Sequence, residues 1–423
     1  MRFDTIIIGG GLSSLVCGIR LQRAGKKCVI VSAGQNALHF SSGTFGLLGR
    51  LIDGTEVSEP LMALSFLPES HPYSKIGVEK MTEYIAEVPS FFESCGVRLH
   101  PSQAPGEGGF PVNGYRITPM GSLKPGWLAM DEVTLLPSKD NMPWHKALIV
   151  NFSGFLDFNA GFIAEGLSRR GVECRVEPVS IADVELLRKN PTEMRSVGIA
   201  RVMTKEGNWK EFGSKVRELV KGEELVILPE VFGLGDPVII QWLREMIPAE
   251  VMFVGTMPPS VPGIRAQIRL KKAFEAAGGT FLQGDTAVDP LVEEGRVVSI
   301  HTVNLGNLSL TADYFVLASG HLFGKGLEAA PSKVVEPVFG LDTDFPADRS
   351  AWCDEDFFAR QEYAGFGVVC DQSFRPSIGG RRIGNLYVIG SEVGGCNSLY
   401  EGSGAGVAIM TAMNVADSIL EER

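Results

Sequence analysis

The apolar residues of the first thirty-two positions form blocks whose spacing predicts the opening elements of the chain. Phe3 to Ile8 is a short run rich in β-branched residues, which is typical of a buried parallel strand. After a glycine-rich turn, an amphipathic segment extends to Gly25 and indicates a helix. Cys28 to Val31 is a second apolar run. The order strand, glycine turn, helix, strand predicts a nucleotide-binding βαβ unit at the N-terminus.

The turn Gly9-Gly10-Gly11-Leu12-Ser13-Ser14 has the residue types that a phosphate site requires. Gly9 permits the tight exit from the strand, and Gly11 has no Cβ, so a phosphate can approach the backbone and the helix N-terminus. Two positions depart from the usual pattern: Ser14 replaces the third glycine, and Ser32 replaces the acidic residue that binds the adenosine ribose. We predict a nucleotide-binding fold with a weakened adenosine site; the alternative is a glycine turn without a ligand.

The C-terminal half repeats the pattern of an apolar strand that ends in small residues. Ala312 to Leu317 is followed by Ala318-Ser319-Gly320, where small side chains let the backbone pass close to a cofactor. The alternative is an ordinary central strand that ends in a turn. Asn385 to Ile389 is a further strand, followed by Gly390-Ser391-Glu392.

A glycine-rich segment, Gly404-Ala405-Gly406, then opens an apolar helix that extends to Leu420. Strand, acidic turn and long helix are typical of the closing element of a flavoprotein. Glu392 is expected to bind the ribityl chain or a phosphate-bound water. The helix N-terminus is expected to face the O2 side of the isoalloxazine, where reduction builds negative charge. A glycine-rich active-site loop without flavin is the alternative.

These elements predict an α/β protein with a Rossmann-like FAD/NAD(P)-binding fold of the glutathione-reductase type. Residues 1–45 and 265–423 are predicted to form a discontinuous flavin- or dinucleotide-binding domain. Residues 46–264 are predicted to form an inserted α/β lobe for a substrate or partner. Residues 102–114, rich in Gly and Pro, predict an exposed loop. Strands are predicted in the inserted lobe at 147–151, 172–176 (stopped by Pro178), 225–229 and 251–255.

Composition excludes several classes of function. The net charge is −11 without a basic cluster, so nucleic acid is not an expected partner. No apolar run is long enough for a membrane span, and the N-terminus carries no signal-peptide pattern, which predicts a cytoplasmic protein. The seven cysteines form no CxxC pair, so neither an iron–sulfur cluster nor any other metal site is expected.

Five segments outside the nucleotide motif resemble the B subunit family of anaerobic glycerol-3-phosphate dehydrogenase. They are spread from end to end of the chain and are not general Rossmann features. Their sequences are GQNALHFSSG at 34–43, RITPMGSLK at 116–124, FSGFLDF at 152–158, PPSVPGIR at 258–265 and FGV at 366–368; the glycine-rich C-terminal segment matches too.

The resemblance implies one chain of a complex with three different subunits. In that family the A subunit is an FAD-dependent dehydrogenase chain, and the C subunit holds iron–sulfur clusters and associates with the membrane. The complex oxidises sn-glycerol 3-phosphate to dihydroxyacetone phosphate and passes electrons toward the quinone pool, and from there to fumarate or nitrate. The expected location is cytoplasmic, peripherally attached to the inner membrane through the complex.

The identity of the flavin differs between the two lines of reasoning. The resemblance implies FMN, which has no adenosine and would not require an acid at Ser32. Taken from the residues alone, the glycine turn favours a pyrophosphate and ranks FAD first. Because we follow the resemblance, FMN is our first expectation and FAD the second. The expected cofactor-binding residues are Gly9, Gly10, Gly11, Leu12, Ser13, Ser14, Ser32, Ser41, Ser42, Gly43, Ala318, Ser319, Gly320, Gly390, Ser391, Glu392, Gly404, Ala405 and Gly406.

Oxidation of a secondary alcohol requires a base for the hydroxyl proton, and a substrate phosphate requires Arg or Lys. His39 is the candidate base, although a histidine in such a segment also serves as a core or loop residue. Arg265 is the first candidate for the phosphate, with an exposed salt bridge as its alternative. Arg116 and Arg375 are further candidates.

Two other functions are also compatible with the sequence. A self-sufficient flavoenzyme of the fumarate reductase type would turn over alone with artificial acceptors. A non-catalytic subunit with a flavin fold would dock the other chains, and its deletion would abolish assembly without any turnover of its own.

Overall fold

The computed structural model describes residues 1–102, 111–190 and 192–422, so residues 103–110 of the predicted loop lie outside the described part. The chain forms two compact units. Unit 1 comprises Met1–Ala37, Phe45–Val97 and Arg269–Arg423, and unit 2 comprises Leu38–Thr44 and Arg98–Ile268.

Unit 1 is built on a parallel five-stranded sheet, as the N-terminal pattern predicts. Ile8 lies beside Val31 on one side and Leu317 on the other, so neighbouring strands end at the same edge. The residues that follow these strands therefore meet at the carboxyl edge of the sheet, where ligands of α/β proteins bind. In spatial order the strands are Thr280–Gln283, Cys28–Ser32, Arg2–Ile8, Thr311–Leu317 and Leu386–Val388.

The helices of unit 1 cover this sheet. The first helix, Leu12–Arg23, packs against the C-terminal helix, Gly404–Glu421, whose residues are mostly buried. The remaining helices are Pro60–Ala63, Pro72–Ile76, Val78–Ser94 and Ser398–Glu401. Small antiparallel pairs are Ala287–Glu293 with Arg296–Thr302, Glu328–Ala329 with Val334–Val335, Thr343–Asp344 with Gly367–Val368, and Ser377–Ile378 with Arg381–Arg382.

Residues 45–97 pack in unit 1, which differs from the predicted boundary at residue 46. The Phe45 ring lies 5.3 Å from the Phe92 ring, measured between centroids. The Tyr73 hydroxyl donates a 2.7 Å hydrogen bond to the Leu47 carbonyl. The helices Pro72–Ile76 and Val78–Ser94 of this segment also pack on the C-terminal helix. Their grouping follows from contacts between residues that are distant in sequence.

Unit 2 contains a parallel four-stranded sheet of its own. Across this sheet the strands lie in the spatial order Glu250–Val254, Leu225–Pro229, Lys146–Phe152 and Glu173–Val179. In chain order these are the fourth, third, first and second strands of the sheet. The last of these passes through Pro178, where the sequence predicted a stop. It is an edge strand, and an edge position tolerates the missing backbone donor of a proline.

Helices connect these parallel strands in unit 2. Asn159 caps the helix Ala160–Ser168, and its side chain accepts from the Phe162 backbone N–H. The other helices are Ala182–Leu187, Ser196–Val202, Glu206–Leu219 and Val238–Met246, and the chain passes into unit 1 within the helix Val261–Ala276. Antiparallel pairs are Gly114–Ile117 with Leu123–Gly126 and Leu99–His100 with Leu128–Met130.

The described residues contain neither a helix suited to span a membrane nor a cluster of metal-ligating side chains. None of the helices there has both the length and the apolar character that a membrane span needs. No group of three or more His, Cys, Asp or Glu side chains in those same residues is arranged to hold a metal ion.

Candidate functional site

The glycine turn after the first strand is shaped by close packing on one side and open space on the other. Gly9 has φ +114°, and a Cβ there would lie 2.0 Å from the Ala318 carbonyl oxygen. A Cβ on Gly10 would lie 2.2 Å from the Ser32 hydroxyl oxygen. A Cβ on Gly11 would meet no atom within 4 Å. The backbone at Gly11 is therefore open to a ligand.

The first helix presents its N-terminus at this open position. Gly11 is the N-cap and has no side chain to accept from the first-turn N–H groups. The first hydrogen bond of the helix runs from the Leu15 N–H to the Gly11 carbonyl. The N–H groups of Leu12, Ser13 and Ser14 precede it and are the donors that an anion at a helix N-terminus uses.

Both serines that replace motif residues are buried. Ser14 is fully buried, and its hydroxyl has no hydrogen-bond partner among the described residues. Ser32 is 3% exposed and donates a long 3.4 Å hydrogen bond to the Gly34 carbonyl. Its hydroxyl also lies against Gly10, so the structure places Ser32 under the glycine turn. Its predicted contact with a ribose stays a prediction.

Glu392 follows the strand Leu386–Val388 and is hydrogen-bonded to the turn after the strand Thr311–Leu317, at the carboxyl edge of the sheet. Its oxygens accept from the Ser319 backbone N–H at 2.7 Å, the Ser319 hydroxyl at 2.8 Å and the Gly320 N–H at 3.3 Å. Burial raises the pKa of Glu392 well above its usual range, and the negative charge of Glu336 adds to this effect. The observed contacts of this carboxyl are thus to the protein, whereas the sequence predicted contacts to a ribityl chain or water.

The C-terminal glycine segment serves packing as well as the predicted flavin contact. A Cβ on Gly406 would lie 2.2 Å from the Tyr73 hydroxyl oxygen, so this position accepts only glycine without a shift. Gly404 and Ala405 are partly exposed. The Gly390 N–H donates to the Thr411 hydroxyl at 2.9 Å, which holds the preceding turn onto the same helix.

A buried hydrogen-bonded pair, His71 and Glu401, lies just before that helix. His71 and Glu401 lie 3.2 Å apart, between Nε2 and Oε2, and both side chains are almost fully buried. Burial opposes the charge of Glu401, but hydrogen bonds from His71, Ser403 and Asn397 outweigh it and lower its pKa. No local sequence pattern pointed to this pair, because its members are far apart in the chain.

The predicted residues His39, Ser41, Ser42 and Gly43 lie together in unit 2. The His39 carbonyl accepts from the Ser260 N–H at 2.7 Å, and the Ser260 hydroxyl donates to the Ser41 carbonyl. The His39 Nδ1 atom is buried and has no hydrogen-bond partner in the described structure. The Ser42 hydroxyl shares a 2.7 Å hydrogen bond with Thr44.

Two of the three candidate arginines are held by protein contacts. Arg265 is 4% exposed, forms an ion pair with Glu132 and donates to the Gly233 carbonyl at 2.9 Å. Arg375 forms an ion pair with Glu422 and donates to the Tyr387 hydroxyl at 2.6 Å. The alternative of an exposed salt bridge for Arg265 is wrong, because the pair is buried. Phosphate binding by either arginine stays a prediction.

Arg116 differs from these two arginines. Its guanidinium forms no ion pair or hydrogen bond with the described residues, although burial lowers its pKa. Its charge acts on Glu230, a buried carboxyl that we did not single out as a candidate. The sequence signal that could have singled out Glu230 is its position, as an acidic residue directly after the apolar run Leu225–Pro229.

Comparison with known proteins gives the family. The model of the FAD binding domain matches residues 4–407. The B subunit of anaerobic glycerol-3-phosphate dehydrogenase from Yersinia pseudotuberculosis serotype I (strain IP32953) is 38% identical over 100% of this chain and 99% of the relative. The protein of that name from Pectobacterium carotovorum subsp. carotovorum (strain PC1) is 39% identical, with the same coverage. The chain therefore belongs to the FAD binding domain family and, within it, to the B subunit proteins of anaerobic glycerol-3-phosphate dehydrogenase.

Solved structures give more distant matches. The chain matches 3-ketosteroid delta1-dehydrogenase from Sterolibacterium denitrificans with a TM-score of 0.45 and 11% identity, covering 100% of both chains. It matches glycine oxidase from Geobacillus kaustophilus with a TM-score of 0.35 and 14% identity, covering 100% of this chain and 95% of the oxidase.

Family membership identifies the chain as a flavoprotein of the oxidoreductase class and confirms the predicted Rossmann-like α/β fold. The matched model names FAD, our second expectation, and gives no support to FMN, our first. The residues fit such a nucleotide, because the turn leaves Gly11 open at an uncapped helix N-terminus.

Proposed function

We propose that this chain is the flavin-binding subunit of a complex that oxidises sn-glycerol 3-phosphate to dihydroxyacetone phosphate. The observation that carries the proposal is full-length similarity to proteins named as the B subunit of that dehydrogenase. Its partners in the proposal are the A subunit, which is an FAD-dependent dehydrogenase chain, and the C subunit, which holds iron–sulfur clusters. Through the latter the complex is attached to the cytoplasmic face of the inner membrane, and the electrons pass on to quinone.

The proposed cofactor is FAD. The open backbone at Gly11 and the first-turn N–H groups from Leu12 to Ser14 would hold its pyrophosphate. When bound, the flavin supplies a two-electron acceptor for hydride from the substrate carbon. The protein residues position this nucleotide, and Glu392 joins the turn after the strand Leu386–Val388 to the turn after the strand Thr311–Leu317 through Ser319.

The test is turnover by the complex assembled from all three purified subunits. We expect oxidation of sn-glycerol 3-phosphate with a quinone acceptor, and loss of quinone reduction when this chain is omitted. Undiminished quinone reduction without this chain would contradict the proposal. Turnover by this chain alone with an artificial acceptor would indicate a self-sufficient enzyme, and full activity of a flavin-free chain within the complex would indicate a docking subunit.

A further inference from the structure

Two adjacent phenylalanines of unit 1 are presented to solvent. Phe357 is 82% exposed and Phe358 is 90% exposed. Their rings pack edge to face, with the centroids 5.3 Å apart. Single exposed apolar residues are common on soluble proteins, whereas contiguous exposed patches mark interaction sites, and aromatic rings are enriched at the centres of protein interfaces. The pair is therefore a candidate contact surface.

Hydrogen bonds hold the loop that carries this pair. The Phe358 N–H donates to the Asp356 carboxylate at 2.9 Å, and the Asp356 N–H donates to the Asp354 carboxylate at 2.8 Å. The Gln361 side chain accepts from the Asp354 N–H at 3.0 Å and donates to the Asp356 carbonyl at 2.8 Å. A loop that is ordered before binding loses less conformational entropy on binding. The two rings are thus presented in a defined position.

The same loop is continuous with the candidate functional site of unit 1. The Asn397 side chain donates to the Gln361 carbonyl at 2.8 Å, which ties the loop to the segment that leads into the C-terminal helix. Next to this contact, the Tyr363 ring lies 6.3 Å from the Phe323 ring, which is 74% exposed. Phe323 follows the turn Ala318-Ser319-Gly320, where the sequence predicts contacts to the cofactor. A partner on this surface would therefore lie beside the candidate site.

The charges around the phenylalanines indicate what covers them. Asp354, Glu355 and Asp356 directly precede the pair, and all three are exposed. Arg360 follows it and pairs with Glu362, so the surroundings are net negative. Such a rim is repelled by the anionic cytoplasmic leaflet of a membrane and, in a symmetric dimer, by its own copy. It is attracted to a protein surface that carries Lys and Arg.

We propose that the loop with Phe357 and Phe358 is the docking site on unit 1 for another protein subunit, which receives both rings in an apolar pocket bordered by Lys and Arg side chains. The identification of that subunit as a member of the dehydrogenase complex rests on the proposed function. The surface itself rests on the exposure of the rings, the order of the loop and its charge.

Biolayer interferometry tests the site, with the flavin-loaded full-length chain immobilised and an equimolar mixture of the purified A and C subunits in solution. The double variant Phe357→Ser, Phe358→Ser should bind at least about 100-fold more weakly, because two rings are no longer removed from water. Its melting temperature should stay unchanged, since both side chains are exposed in the free chain. Leucine at both positions should preserve most of the affinity. Phe66→Ser is the matched control, since Phe66 is 74% exposed in the same unit, and it should bind as the wild type does.

A charge reversal gives an independent readout. Glu355→Lys should weaken binding severalfold, because it replaces an attraction to the basic rim of the partner by a repulsion. Added salt screens this attraction, so the association rate of the wild type should fall more steeply with ionic strength than that of the variant. Glu69→Lys is the control at an exposed position of the same unit and should keep the wild-type affinity.

Several results would overturn the docking site. They are the absence of binding by the wild type, wild-type affinity of the double serine variant, and equal weakening by Phe66→Ser. If the serine variant instead lost binding only to vesicles of anionic phospholipid, the surface would be a membrane contact. A wild-type dimer that dissociates in the serine variant would assign the surface to a second copy of this chain.

The outcomes also separate this inference from the proposed function. If the double serine variant binds both subunits normally while the complex still reduces quinone, the docking site is wrong and the function stands. If that variant loses subunit binding but the complex reduces quinone without this chain, the function is wrong and the docking site stands.

Discussion

Replacing Gly11 with valine tests the proposed phosphate position without disturbing the fold. Gly11 has φ −82° and ψ −170°, a region that valine adopts freely. The space where its Cβ would lie contains no atom within 4 Å. The side chain should therefore be accommodated in the flavin-free protein and should occupy the position of the phosphate in the loaded one.

The size of the effect follows from the hydrogen bonds that the phosphate would lose. Hydrogen bonds to charged groups contribute about 1.5–3 kcal/mol each, so displacing the phosphate from one helix N–H weakens binding by about 10- to 150-fold. Flavin affinity is measured by fluorescence titration of the flavin-free chain, and circular dichroism checks the fold.

Gly207→Val is the matched control for this experiment. Gly207 lies exposed in the helix Glu206–Leu219, and a Cβ there also meets no atom within 4 Å. Its flavin affinity should equal that of the wild type. Retention of wild-type flavin affinity by a folded Gly11→Val protein would refute the assignment of the turn as the phosphate site.

Three further predictions concern buried polar groups. Arg265→Ala leaves Glu132 uncompensated and should lower the free energy of unfolding by about 3–5 kcal/mol in urea denaturation; an unshifted midpoint would contradict a buried ion pair. Ser319→Ala removes a donor to Glu392 and should cost about 1–3 kcal/mol in the same assay, whereas a neutral result would show that the backbone donors suffice. Because the folded pKa of Glu230 is raised, the folded state binds its proton more tightly than the unfolded chain. Stability should therefore fall as pH rises above the ordinary range of a glutamate pKa, and Glu230→Gln should flatten that slope; equal slopes would argue against a raised pKa.

The elements with strong local signals could be predicted from the sequence. The strand Leu225–Pro229 has the predicted limits, because short apolar runs between turn residues are characteristic of buried parallel strands. The glycine turn was equally recognisable, since its residues are fixed by local backbone geometry. The helix Val78–Ser94 was not predicted, and Pro89 lies within it.

Features that depend on distant contacts could not be predicted. The pairing of Arg265 with Glu132 and the packing of residues 45–97 in unit 1 are set by the tertiary fold. Glu230 follows an apolar strand in the sequence, but only the structure shows that its carboxyl is buried without a hydrogen-bond partner among the described residues. Of the candidate arginines, the structure leaves Arg116 without a hydrogen bond or ion pair within the described ranges, and no local pattern distinguishes it from the others.

The most direct test of the central claim is acid release and chromatography of the flavin bound to the purified full-length chain, after reconstitution with both FAD and FMN. The account predicts about one FAD per chain, in agreement with the family and the open turn at Gly11. FMN at that stoichiometry would contradict the pyrophosphate assignment, and the absence of any flavin would contradict the proposed role of the chain in binding flavin within the complex.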